Sequence, residues 1–151
     1  MFNNTKASIP EIQKNTALCI LMTNQVLEIV RSGNTLRDLP SIVEKLSVFN
    51  ESELFDTLFP NSIRRQSPGK GVAFSAYALN ELNPKATISL EEAIDSLLLE
   101  WDISIEEVVF YLSKQFGKEN IELKAKEIKG SLTGEEIVRL ETIEYWLGIN
   151  T

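Results

Sequence analysis

Apolar residues recur along this chain at intervals of three and four, and alternation over any useful length is missing. That spacing stacks side chains on one face of an α-helix, so it predicts helices and no sheet. The longest pattern predicts a helix from about Ile9 to Arg31, with Ile12, Thr16, Cys19, Ile20, Thr23, Val26, Leu27 and Val30 on one face. Leu18, Leu21, Met22 and Ile29 widen that face, which predicts a centrally placed helix with Cys19 as a buried thiol. Gly33-Asn34 stops it. Further patterns predict helices at about 41–48, 51–59, 72–82, 90–101, 105–116 and 134–147, with a shorter one at 119–128. Pro60 is read as the end of the third, and 61–71 as a connecting loop. The helices at 90–101 and 105–116 are separated by Asp102-Ile103-Ser104 alone and make a tight hairpin.

Six stretches carry helix-start chemistry: Ser8-Ile-Pro-Glu11, Ser41-Ile-Val-Glu44, Asn50-Glu-Ser-Glu53, Ser89-Leu-Glu-Glu92, Ser104-Ile-Glu-Glu107 and Thr133-Gly-Glu-Glu136. In each, a small polar side chain can accept from a free amide of the first turn. The glutamate three residues on can reach back to the cap residue's own N–H. Phe49 with Leu54, Ile88 with Ala93, Ile103 with Val108 and Leu132 with Ile137 supply the apolar staple that often accompanies such a box. The expected architecture is an all-α, compact single domain over 1–151, a bundle of about seven helices. Its helical subregions, about 8–60 and 72–151, are joined by the 61–71 loop.

Composition narrows the picture. The length of 151 residues and 43% hydrophobic content suit one self-sufficient core. A net charge of −7 disfavours general attraction to nucleic acid or anionic membrane. One cysteine permits no intramolecular disulfide, and no charged leader precedes an apolar stretch. The apolar region 17–30 is interrupted by Thr23, Asn24, Gln25 and Glu28 and is too short to span a bilayer. A cytoplasmic, membrane-free protein is the expectation.

The chain has no histidine, which removes the commonest general base, the Ser-His and Cys-His pairs, and the commonest metal ligand. Carboxylates remain. Glu53/Asp56, Glu92/Asp95, Glu119/Glu122 and Glu141/Glu144 stand at helical spacing. Such pairs resemble the metal-holding Glu-x-x-Glu and Glu-x-x-Asp helices of all-α nucleotide pyrophosphohydrolases of the MazG family. The resemblance implies magnesium-dependent hydrolysis of a nucleotide; the close spacing of that family's two motifs is not found here.

Four other features have a chemical reading. The hairpin at 89–116 resembles a helix-turn-helix through Leu99-Glu-Trp-Asp-Ile-Ser104, with Asp102 where that motif usually holds Gly. Glu106 and Glu107 would meet DNA phosphates with the wrong sign. Ser67-Pro-Gly-Lys-Gly71 has glycines and a lysine before a helix but lacks the strand and the Gly-Lys-Ser/Thr of a P-loop. The lysines at 114, 118, 124, 126 and 129 are interspersed with acids and read as a mixed solvated face. Trp101 and Trp146 end apolar stripes and read as core.

The 61–71 segment holds Arg64, Arg65 and Lys70 without an acid, on an acidic chain. Guanidinium pairs bidentately with carboxylate or phosphate, so these three are the expected partner-binding residues, for an acidic partner or for nucleic-acid phosphate. The expected function is a small regulatory or adaptor protein, without catalytic residues, cofactor or metal, that binds another protein. Self-association is a further mode that the apolar content allows. The alternatives are a transcriptional regulator or nucleic-acid accessory protein, and the magnesium-dependent hydrolase.

Overall fold

The computed structural model describes residues 9–64 and 71–149, and every regular element among them is helical. The order is α1 (Ile9–Arg31), α2 (Leu39–Leu46), α3 (Glu51–Ile63), α4 (Gly71–Leu82), α5 (Leu90–Glu100), α6 (Glu107–Phe116), α7 (Lys118–Ile128) and α8 (Glu135–Trp146). Short 3₁₀ turns at Leu36–Asp38 and Lys129–Ser131 complete it. The all-α expectation holds, with eight α-helices among the described residues where about seven were expected.

α4 lies at the centre, packed against α1, α2, α3 and α6. Val72, Phe74, Ser75, Ala76, Ala78 and Leu79 are all buried, and the small ones among them let neighbouring helices approach. Leu46, Leu58, Leu97, Trp101, Tyr111 and Leu112 fill the main core. A smaller cluster of Ile94, Leu98, Ala125 and Leu140 joins α5, α7 and α8. Trp101 is buried as its helical phase predicts, and Trp146 is half-buried. Gly117, at φ +84°, makes the abrupt turn between α6 and α7 that a side chain would strain.

Three expectations are corrected. The first is the central position of α1. Val26 and Val30 are fully buried against the body, but Gln13, Lys14 and residues 16–21 are exposed. Cys19 is therefore exposed, not buried. The reason is length. At about 1.5 Å per residue, the 23 residues of α1 outrun the 8, 13 and 12 residues of α2, α3 and α4, so its N-terminal half overhangs them.

The second correction concerns Pro60. α3 continues through it to Ile63, and Asn61, Ser62 and Ile63 are buried. A proline inside a helix costs about 3 kcal/mol. Here Ile63 enters the core, Ser62 Oγ donates to the Phe59 carbonyl at 2.7 Å, and Asn61 Nδ2 donates to Ser75 Oγ at 2.6 Å. These offset the lost backbone bond, so 61–63 belong to a helix and not to a loop.

The third concerns the caps. At Asn50 the box closes, with Glu53 N–H donating to Asn50 Oδ1 at 2.9 Å and Asn50 N–H to Glu53 Oε2 at 3.4 Å. At Ser89 it closes too, at 3.1 and 2.8 Å. Ser41 instead lies inside α2, which opens at Leu39-Pro40. Thr133 is cut off from α8 by Gly134 at φ +59°. Ser104 is diverted: its N–H and Oγ–H both donate to Asp102 Oδ1, at 3.0 and 2.8 Å, so α6 starts only at Glu107. Ser8 lies outside the described residues. Ser89→Ala should accordingly destabilise the fold by about 1 kcal/mol, and Ser104→Ala by less than about 0.5 kcal/mol. Paired urea denaturation curves check this, and equal losses would refute the distinction.

Candidate functional site

The continuation of α3 past Pro60 shapes the surface beside it. Phe55, Phe59 and Ile63 recur every four residues, as do Asp56, Pro60 and Arg64 beside them. Both rows face a groove of about 470 Å³, closed on the other side by Ile88 and by Ser96, Leu99 and Glu100 of α5. Had the helix ended at Pro60, Arg64 would not have reached this face.

The floor is aromatic and rigid. The rings of Phe55 and Phe59 stack at 5.0 Å, and Phe55 lies 6.1 Å from Tyr111. Tyr111 is fixed in turn by its hydroxyl, which donates to the Pro84 carbonyl at 2.6 Å. Burial, and then the charge of Glu51, push the Tyr111 phenol well above its ordinary range, so it acts as a neutral donor at any physiological pH. Leu99 stands at the edge with 70% of its surface exposed. The rim is charged: Asp56 accepts from Thr87 Oγ1 at 2.7 Å, and Arg64 and Glu100 are exposed. The Arg64 guanidinium makes no ion pair among the described residues.

Of the expected partner-binding residues, Arg64 is therefore exposed at the C-cap of α3 and lines the groove. Arg65 and Lys70, with most of the Ser67–Gly71 segment, lie outside the described residues. Sequence reasoning missed the apolar half of the site, Phe55, Phe59, Ile88 and Leu99. One signal was there. In Leu97-Leu98-Leu99 only two consecutive residues fit a stripe already formed by Ile94 and Trp101, so the third is left outside.

The four carboxylate pairs do not converge. Among the described residues no three acidic, cysteine or histidine side chains are grouped as metal ligands. Glu53 and Glu92 serve caps, Glu122 pairs with Lys126 at 2.9 Å, and Glu144 with Lys129 at 3.0 Å. The lysine-rich face is mixed, as expected: Lys124 bridges Glu91 at 3.5 Å and Glu127 at 3.4 Å, and Lys118 Nζ donates to the Gly148 carbonyl at 3.3 Å.

The helix-turn-helix resemblance has a definite geometry. The would-be reading helix, α6, packs against α3, α4, α5, α7 and α8. Lys114 is its one exposed residue, and Lys114 Nζ is engaged by the Asn80 carbonyl at 2.8 Å. Gln115 is also tied down, donating to Asn83 Oδ1 at 2.8 Å and accepting from Ala86 N–H at 2.9 Å. No helix among the described residues is long and apolar enough to cross a membrane. The chain matches no protein-family model, and comparison with curated proteins and with solved structures finds none similar to it.

Proposed function

We propose that this chain is a non-enzymatic binding protein whose groove between α3 and α5 accepts an apolar segment of another protein bearing a carboxylate. The observation that supports this reading is the juxtaposition in one groove of an aromatic floor, an exposed Leu99 and an Arg64 that makes no ion pair among the described residues. Large apolar side chains entering a preformed pocket supply most of the energy at such sites, and rim charges set approach and orientation. Arg64 is the one cation among the described residues that line the groove, and its guanidinium favours a carboxylate beside it. Nucleic-acid recognition by α6 is the weaker reading, because that helix packs against five neighbours and its one exposed residue, Lys114, is engaged by the Asn80 carbonyl.

The test is selection from a displayed random-peptide library on the purified chain. Recovered peptides should combine bulky apolar residues with Asp or Glu. Leu99→Lys should weaken a selected peptide by about tenfold. Arg64→Glu should shift the preference from acidic to basic peptides. Both variants change exposed side chains, so their unfolding free energies should stay within about 0.5 kcal/mol of the parent. Selected peptides that bind both variants equally would remove the groove from the interface.

A further inference from the structure

The overhanging half of α1 is a second surface that no other described helix covers, remote in sequence from the groove. Leu18, Ile20 and Leu21 are 52%, 58% and 54% exposed. From Asn15 to Leu27 the chain carries no charge, and Lys14 and Glu28 bracket this neutral stretch. On the side of α1 turned away from the body, Lys14, Leu18, Leu21, Gln25 and Glu28 follow one another in steps of four and three, and all five are exposed. That is the spacing of a two-helix seam. Ala17 and Asn24 flank it and allow close approach.

We propose that this seam pairs with the same seam of a second copy of the chain, the two α1 helices running antiparallel. The charges argue for a second copy and for its direction. Antiparallel with Leu21 at the two-fold axis, Leu18 lies between the other copy's Leu21 and Gln25, and each Lys14 stands level with the other copy's Glu28. Parallel, lysine would face lysine and glutamate would face glutamate. A surface whose two ends carry opposite charges about an apolar centre is self-complementary under a two-fold axis, as an isologous interface requires. The rest of the molecule opposes association, since two copies of net charge −7 repel. The neutral stretch of α1 is where that repulsion is least. The contact is short, so the dimer is a weak one, with a dissociation constant in the micromolar range.

Sedimentation equilibrium on the full chain tests this. A two-chain mass is expected at about 100 µM. Leu18→Glu with Leu21→Glu should leave only single chains, with the helical circular dichroism of the body retained. Glu28→Lys lowers the net negative charge by two and would strengthen any non-specific association; it is expected to weaken this dimer by about tenfold. Lys14→Glu should weaken it likewise, and the two changes together should restore it. Four results would each overturn the proposal: a single chain at about 100 µM that gains mass only with a foreign partner; a Leu18/Leu21 variant that still dimerises; a Glu28→Lys chain that dimerises more tightly; or a double charge exchange that restores nothing.

Discussion

Replacing Arg139 by Met should destabilise the protein by about 3 kcal/mol, measured as a shift in the midpoint of urea unfolding. Arg139 lies on α8 and is 6% exposed. Its Nη1 donates to the Leu98 carbonyl at 2.8 Å and its Nε to the Trp101 carbonyl at 3.1 Å. Those carbonyls lie at the end of α5, where no further turn supplies an N–H. A guanidinium there also meets the negative end of the helix dipole. Hydrogen bonds from a charged donor contribute about 1.5–3 kcal/mol each, and the carbonyls left behind would be buried without partners. The third contact, to Glu135 Oε2 at 3.0 Å, adds little because that glutamate is largely exposed. Methionine keeps much of the apolar stem, so the loss isolates the polar head. Arg139→Lys should recover only part of it, since an ammonium lacks the planar fork that spans two carbonyls. A loss below about 1 kcal/mol for Arg139→Met would show that water replaces the arginine at the end of α5.

How far such features can be read from sequence depends on whether the decisive contact is local. Asn50 with Glu53 and Ser89 with Glu92 are three residues apart, and their boxes form as read. Ser104 fails for an equally local reason, the competing carboxylate two residues back at Asp102. Pro60 misleads because its neighbours' burial is decided by α4, through Ser75. Arg139 and Glu144 interrupt the expected inward stripe of α8 with charge, and nothing nearby in sequence reveals that Leu98, Trp101 and Lys129 await them.

The site divides in the same way. Arg64 is legible as a cation in an acid-free stretch, and the structure places it on the groove. The groove itself is not legible, because Phe55, Phe59 and Leu99 become one surface only when α3 and α5 pack at a distance that leaves it open. Ala17 to Met22 is the converse case. A helix apolar on every side belongs either to a core or to an unmade contact, and the pattern is identical for both. Only the lengths of α2, α3 and α4 decide that this part of α1 projects.

Trp101→Ala should cost about 4 kcal/mol in unfolding free energy, the largest effect expected of any single substitution at the junction of α5 with α6 and α8. The indole is 1% exposed, and its Nε1 donates to the Ile105 carbonyl at 2.9 Å. Truncation removes the apolar bulk and leaves both a cavity and an unpaired carbonyl. Trp101→Phe separates the two contributions. It retains most of the ring and loses the donor, so about 1–2 kcal/mol is expected. Since α5 also carries Ser96, Leu99 and Glu100, the same variants report on the groove. Trp101→Phe should bind a selected peptide like the parent, whereas Trp101→Ala should bind it more weakly as the end of α5 loosens. Combined with Arg139→Met, Trp101→Ala should cost less than the sum of the two, because either change alone already frees the segment that the other holds. Strict additivity would show that the indole and the guanidinium secure α5 independently.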